Sequence, residues 1–492
     1  MAAAIFPSLR SFTLRALVFR LLGPLLGLIA FAGLRHIGDA SAAMAGTVLW
    51  MAVWWISECV PIPVTALLPL VLFPLFGIQD LPATAAHYGR DIIFLFLGGF
   101  LLALGVERSG LHNRFALWTV SRIGASPPRL VLGTLLASGA LSMWINSTAA
   151  VLVMLPIALS LLRTTGSERG LGAVLALAVS YGATIGGMAT PVGTPPNLVM
   201  MAMWKQEFPA EPAIGFGQWM LFGVPYAFLF LGITWLLLTR VLFRLPGAAA
   251  VERHALRAQL KELGAATRDE RLAGLVFATT ALLWMTGDDI VFSDAFTLHG
   301  WRGWLGLEGM GDPAVGMLGG LVLFLLPSKG AKRALLDWEF AQQRIPWGVV
   351  LLIGSGFAIA GGIDASGLSA TLGKALVGWR TGSDVLQVGA IATGVTLLSE
   401  LGSNTAVASL VLPILARSAE AWGMAPLMVM VPATLAASCG FMLPIASPMQ
   451  AIVFASGHLS VKQMVKAGVW MDVVGVLLLM GLWSVLGAAV FG

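Results

Sequence analysis

Two polar tripeptides interrupt otherwise apolar stretches of this 492-residue chain. Asn146-Ser147-Thr148 lies between residues 131–144 and 149–162, and Ser403-Asn404-Thr405 between 388–398 and 406–416. Each flank is only ~11–14 residues, short of the ~20 a helix needs to cross a bilayer. The spacing predicts a helix–tip–helix hairpin that enters partway, with the tripeptide at its tip. Such a tip is tolerated only where it is packed in protein or lines a cavity. A helix beginning at Thr148 or Thr405 aims unpaired N–H groups and a positive dipole end at that cavity, which favours an anion. Ser and Thr hydroxyls can donate to carboxylate oxygens. Asn and Ser oxygens, with carbonyls freed at the helix break, are hard ligands for an alkali cation. No Lys or Arg accompanies either tripeptide. A dianion held there needs countercharge, and bound cations supply it. That need couples two solutes.

Each tripeptide is followed by a second break, Gly193-Thr194-Pro195-Pro196-Asn197 and Ala446-Ser447-Pro448-Met449-Gln450. Prolines end one half-helix and start another, freeing carbonyls for a cation. Ser, Asn and Thr also serve as helix caps and interhelical glue. Their recurrence at equivalent places in a repeat argues for a site instead. Gly99-Phe-Leu-Leu-Ala-Leu-Gly-Val-Glu-Arg-Ser-Gly-Leu111 aligns with Gly356-Phe-Ala-Ile-Ala-Gly-Gly-Ile-Asp-Ala-Ser-Gly-Leu368, seven of thirteen positions being identical at an offset of 257. The same offset carries Ser142 onto Ser399, Thr148 onto Thr405 and Leu155-Pro156-Ile157 onto Leu412-Pro413-Ile414. An offset of 253 carries residues 191–197 onto 444–450. The halves are duplicates. The loop at 328–344 is basic, whereas its counterpart at 79–91 holds one Arg and two Asp. Opposite charge preference in equivalent loops implies an inverted repeat, with a site near the bilayer midplane where broken helices of both halves meet.

The composition agrees. The chain is 58% hydrophobic and 11% charged, against about 45–50% and about 25% in soluble domains, and its mean hydropathy is +0.88. At ~20 residues per span it can cross a membrane roughly a dozen times. Net charge is +5, but the basic residues sit in short loops between apolar runs, which marks cytoplasmic loops and not a nucleic-acid face. Cys59 and Cys439 lie in apolar surroundings, and the six histidines show no metal-ligand spacing. Arg10, Arg15 and Arg20 precede an apolar run over 21–34. A second run follows at 42–56, so the first is a membrane helix held on the cytoplasmic side and not a cleaved leader. Seven basic residues against four acids over 240–271 suggest an amphipathic cytoplasmic linker helix. The loop with Asp288, Asp289, Asp294, Glu308 and Asp312 is acidic and external, and Lys329, Lys332, Arg333 and Arg344 mark the return inside. The expected organisation is an N-terminal segment with the first membrane helix (1–41), a first repeat (42–239), the linker (240–271) and a second, inverted repeat (272–492).

Other features carry less. Glu107, Asp364 and Glu400 are ionisable groups in or near spans and so are functional suspects. Glu107 and Asp364, each beside Ser-Gly, also suit helix ends. Asp472 opens the last span and reads as interfacial, and tryptophans at run ends read as anchors. Gly309-Met310-Gly311-Asp312 matches an intramembrane aspartyl protease motif, but Tyr88, Tyr181 and Tyr226 are followed by Gly, Gly and Ala, with no second aspartate. A passive anion channel has no need of paired cation ligands.

The chain resembles the divalent anion/sodium symporter family. The resemblance rests on Trp54-Trp-Ile-Ser-Glu-Cys-Val-Pro-Ile-Pro-Val-Thr-Ala-Leu-Leu-Pro69, Ser142-Met-Trp-Ile-Asn-Ser-Thr148, Gly193-Thr-Pro-Pro-Asn197 and Ser403-Asn-Thr405. It also rests on Asp337-Trp-Glu339, Ile345-Pro-Trp-Gly348 and Met442-Leu-Pro-Ile-Ala446. It implies an all-α inverted-repeat transporter of elevator type with two re-entrant hairpins, working as a homodimer in the inner or plasma membrane with its N-terminus cytoplasmic. It implies one sodium site per half: Ser142, Asn146, Ser147 and Gly193 in the first, Ser399, Ser403, Asn404 and Ala446 in the second. Substrate carboxylates would meet Asn146, Ser147, Thr148, Thr194, Ser403, Asn404, Thr405, Ser447 and Pro448. Two features depart from the family pattern: Asn146-Ser147 reverses the usual Ser-Asn order, and Pro448-Met449-Gln450 stands where Pro-Pro-Asn is usual. Threonine in both tripeptides resembles the dicarboxylate branch. The expectation is import of a C4 dicarboxylate such as succinate, malate or fumarate with sodium as coupling ion. No cofactor, enzymatic activity or nucleic-acid partner is expected, and the contacts besides substrate are membrane lipid and a second subunit. The alternatives are a sodium-independent dicarboxylate or citrate exchanger, a sulfate symporter or a passive channel.

Overall fold

The computed structural model describes residues 14–123, 126–165, 170–243, 245, 260–293, 296–329, 333–369, 371, 378 and 380–491. Arg10, Asp294, Lys332 and most of the expected linker helix lie outside the described residues. Six helices among the described residues are long and apolar enough to cross a membrane: Leu17–Ile37, Asp39–Ser57, Leu81–Ser109, Phe216–Leu242, Trp347–Ala365 and Val461–Phe491. Shorter apolar helices fill the rest, including Leu171–Gly187, Asp312–Leu325, Asp384–Ser399 and Leu427–Ala437. Among the described residues, polar tips and proline breaks cut several apolar runs below span length. Leu21, Leu25, Leu28, Leu282, Leu325 and Leu477 are more than half exposed. A soluble surface does not carry such apolar faces together. The chain is a multi-pass membrane protein. A small antiparallel pair, Ile290–Ser293 with Phe296–Leu298, lies in the acidic loop and is the one strand pairing among the described residues; the helical class is otherwise as expected.

The repeat is visible in the helices themselves. Pro127–Ser142 and Ser147–Thr165 run 16 and 19 residues, and Asp384–Ser399 and Asn404–Trp422 run the same 16 and 19 at the 257 offset. Each hairpin is preceded by a 19-residue helix, Asp91–Ser109 or Trp347–Ala365. Each is followed by a broken helix and then a long one, Phe216–Leu236 or Val461–Leu482. The arms are longer than the flanks read from the sequence, and both second arms run on through Pro156 and Pro413 to Thr165 and Trp422. The first broken helix packs on the first hairpin through glycine. A Cβ on Gly186 would lie 2.1 Å from the Gly139 carbonyl oxygen, so the two backbones touch as small-residue membrane contacts require.

Several charged groups pair at helix ends. Glu107 pairs with Arg344, and Asp364 with Arg417 at 2.8 Å, so these acids are helix-end ion pairs. Asp337 caps Trp338–Arg344 by accepting the Phe340 N–H at 2.9 Å; its bond to Arg108, then that amide, hold its carboxyl below the usual range. Asp312 of the protease-like motif is structural. It pairs with Arg302, which also reaches Asp288 at 2.7 Å, and it accepts the Phe216 N–H at 3.2 Å. Arg302→Met strips Asp312 of its buried partner. The expected cost is roughly 3–5 kcal/mol, seen as a lowered unfolding temperature in detergent; an unchanged temperature would refute the pairing. Asp472 corrects the sequence reading. It lies well inside Val461–Leu482 and is 7% exposed. The basic residues of that helix, Lys462 and Lys466, stand in its first two turns.

Candidate binding site

The first hairpin turns at 143–146, and its second arm starts at Ser147. Asn146 Oδ1 accepts the Thr148 N–H at 2.9 Å, a side-chain N-cap. Ser147 turns inward: Ser142 Oγ donates to Ser147 Oγ at 2.7 Å, and Ser147 Oγ donates to the Gly193 carbonyl at 3.3 Å. That carbonyl belongs to the break between Leu171–Gly187 and Pro195–Glu207. Asn197 Nδ2 ties the break by donating to the carbonyls of Gly187 (3.2 Å) and Thr190 (2.8 Å). A Cβ on Gly193 would fall 2.5 Å from the Gly187 oxygen and 2.9 Å from the Ser142 oxygen. The carbonyls of Ser142 and Gly187 therefore crowd this point, beside the Ser147 hydroxyl.

The second hairpin repeats the arrangement with a different side chain. Ser399 Oγ lies 2.9 Å from Asn404 Oδ1 and also contacts the Ala437 carbonyl. A hydroxyl has one proton, so these three oxygens share fewer protons than contacts. Gly440 completes the group: a Cβ there would lie 3.2 Å from the Ala446 Cβ and 3.3 Å from the Ser399 carbonyl oxygen. Ser447 caps Pro448–Ala455 by accepting the Gln450 N–H at 3.3 Å. Each half thus gathers neutral oxygens at the junction of hairpin tip and helix break. That donor set suits a hard monovalent cation.

Between the two sets lies one cavity of about 320 Å³, at the small end of the range for ligand sites (about 300–1,000 Å³). It is bordered by Asn146, Ser147, Thr148, Thr194, Ser403, Asn404, Thr405, Ser447 and Pro448, the nine residues expected to meet substrate. Ser142 and Ser399 sit behind the tips, fully buried, and Gly193 and Ala446 lie at the two breaks. Among the described residues no Lys, Arg, His, Asp or Glu lines the cavity. Four helices begin at its wall: Ser147–Thr165, Pro195–Glu207, Asn404–Trp422 and Pro448–Ala455. All four turn the positive ends of their dipoles toward it without any formal charge, and the two hairpin tips add unpaired N–H groups; Pro195, Pro196 and Pro448 have no N–H to give, and the Asn197 N–H goes to the Thr194 carbonyl at 3.2 Å. Met449 crosses between the halves, its sulfur 3.6 Å from Thr148 Oγ1. Ile62, Pro63, Pro346, Gly348, Val349 and Leu352 close the remaining side.

Sequence reasoning missed Gly187, Gly440 and the Ala437 carbonyl. The glycines were findable, since the 253 offset that aligns the breaks carries Gly187 onto Gly440. A carbonyl leaves no such trace. Asn404→Ala removes one oxygen from the second set. The sodium concentration for half-maximal uptake should rise several-fold or more, and an unchanged sodium dependence would strike Asn404 from that set.

Comparison with known proteins gives a consistent picture. A family model described as citrate transporter matches residues 52–423 and 303–491. The sodium-dependent dicarboxylate transporter SdcS of Staphylococcus aureus (strain USA300) is 37% identical over 489 residues, covering 96% of this chain and 91% of that protein. Among solved structures, the YdaH transporter of Alcanivorax borkumensis superposes with a TM-score of 0.58 at 17% identity, covering 96% of this chain and 98% of its own. MtrF of Neisseria gonorrhoeae, described among antimetabolite efflux pumps, gives 0.58 at 13% identity over 82% and 83%. These two speak for the fold alone.

Proposed function

We propose that this chain, which belongs to the citrate-transporter family and within it to the divalent anion/sodium symporters, imports a C4 dicarboxylate such as succinate, malate or fumarate together with sodium. The observation that carries the reading is the pairing of four helix N-termini around an uncharged cavity with an oxygen set behind each tip. N-termini and hydroxyls hold two carboxylates. Without a basic side chain the dianion lacks full countercharge, and sodium on the oxygen sets supplies it. Anion and cation each improve the site for the other, which is coupling in its thermodynamic sense.

The chain acts as a carrier and not an enzyme, with no cofactor beyond its coupling ions. The two repeats, 42–239 and 272–492, lie inverted in the plasma membrane with the N-terminus inside, and both hairpins are re-entrant. The hairpins and broken helices move as one body against the other helices, in a homodimer surrounded by lipid.

The test is labelled succinate uptake into proteoliposomes, once with an inward sodium gradient and once without sodium but preloaded with unlabelled succinate. Accumulation that requires sodium is expected. Uptake that requires only preloading would make the protein an exchanger and remove sodium from the oxygen sets.

A further inference from the structure

Met449 breaks the likeness between the two halves inside the cavity. The 253 offset carries Pro195 onto Pro448 and Pro196 onto Met449. Pro195 and Pro448 both border the cavity. Pro196 is buried away from it, whereas Met449 borders it. Met449 is 7% exposed and stands second in Pro448–Ala455. Its backbone is held there, because Pro448 precedes it and the Ser447 hydroxyl caps the helix by accepting the Gln450 N–H at 3.3 Å. The side chain leaves the second half and reaches the first, with its sulfur 3.6 Å from Thr148 Oγ1. It therefore runs beside the line between the two tips, whose hydroxyls at Thr148 and Thr405 border the same cavity.

We infer that Met449 sets the upper size of the dianion this cavity accepts, so that a C4 chain passes and longer ones are rejected. A thioether sulfur is a weak acceptor, and a carboxylate oxygen bonds a hydroxyl more strongly. Substrate therefore takes Thr148 from the sulfur. Methionine is unbranched and readily changes rotamer, so it can give way. With its backbone held at the helix start, the atoms beyond Cβ still lie alongside the bound dianion. The cavity, at about 320 Å³, is already at the small end for a ligand site. A longer chain must displace either this side chain or the tips. In a fitted pocket one methylene too many changes selection by about 10- to 200-fold.

This role deepens the C4-dicarboxylate reading of the cavity and rests on it. Uptake of labelled succinate, glutarate and adipate into proteoliposomes is compared in the wild type, Met449→Ala, Met449→Pro and Met449→Leu. All three probes are dianions, so they differ in size and not in charge. The readout is the glutarate-to-succinate ratio of kcat/KM. Met449→Ala and Met449→Pro should raise it about tenfold or more, and Met449→Leu, of similar volume, should keep it near the wild-type value. Proline suits this position, because an N–H in the first turn has no partner within the helix, and the first half already carries Pro196 there. The proline variant thus decides the matter even if alanine loosens the helix start. A ratio unchanged in both variants overturns the inference and moves the size limit to Ile62, Val349 and Leu352 on the facing wall, with the C4 reading intact. Wild-type protein that takes glutarate and adipate as readily as succinate overturns it without any variant. Absence of succinate uptake takes down both readings together. The same ratio is read in exchange mode after preloading with unlabelled succinate, so it is decided whichever way sodium coupling falls.

Discussion

Thr148→Val and Thr405→Val are each expected to cut dicarboxylate uptake by roughly 10- to 150-fold while the protein stays folded. The substitution keeps side-chain shape and removes one hydroxyl. A hydrogen bond to a charged acceptor is worth about 1.5–3 kcal/mol, and every 1.4 kcal/mol is about tenfold in affinity. The loss should be near the upper end, because among the described residues no cationic side chain lines the cavity to take over. Thr148 and Thr405 sit at corresponding places just inside the second arms, so the two variants should behave alike. Titrating uptake against succinate concentration, with the unfolding temperature as control, checks this. Normal uptake in both would remove the tripeptides from the substrate site.

Gly193→Ala is expected to raise the sodium concentration for half-maximal uptake by at least tenfold. The added methyl group would lie 2.5 Å from the Gly187 oxygen and 2.9 Å from the Ser142 oxygen. Both obstacles are backbone, so the break must open to admit it, and overpacking of this kind costs about 1–3 kcal/mol. Opening it displaces the carbonyls of the first oxygen set. Gly193 does not have positive φ, so backbone strain plays no part and the effect is one of space. The counterpart position already carries a methyl group, in Ala446, beside Gly440. Ala446→Gly should therefore change sodium dependence little. Equal effects at the two positions would refute this account of the asymmetry between the halves.

Much of the candidate site was legible in the sequence. Polar tripeptides inside apolar runs stand out because burying an unsatisfied polar group is costly, so they signal a cavity wherever they occur. The duplication was legible because a constant offset links Ser142 to Ser399 and Thr148 to Thr405. The breaks were legible because proline cannot continue a helix.

The division of labour inside each tripeptide was not. Asn and Ser are both good N-caps and both cation ligands, so composition cannot say which does which. The fold assigns capping to Asn146 and turns Ser147 onto Ser142; in the second half Asn404 turns onto Ser399. The reversed order in the first tripeptide thus places a serine where the second half has an asparagine, and the inward position is filled in both. Asp472 eluded the sequence for a related reason. An acid near the start of an apolar run looks interfacial until the helix that carries it is packed, and only the contact of Gly468 with Met442 shows that its face is buried. What the sequence determined by itself is a duplicated membrane carrier with two polar tips and two breaks, because periodicity, charge asymmetry and proline act locally along the chain. What tertiary structure decided is that both tips, both breaks and four helix N-termini share one uncharged cavity, because that depends on carbonyl positions and helix faces brought together from residues up to about 300 apart in the chain.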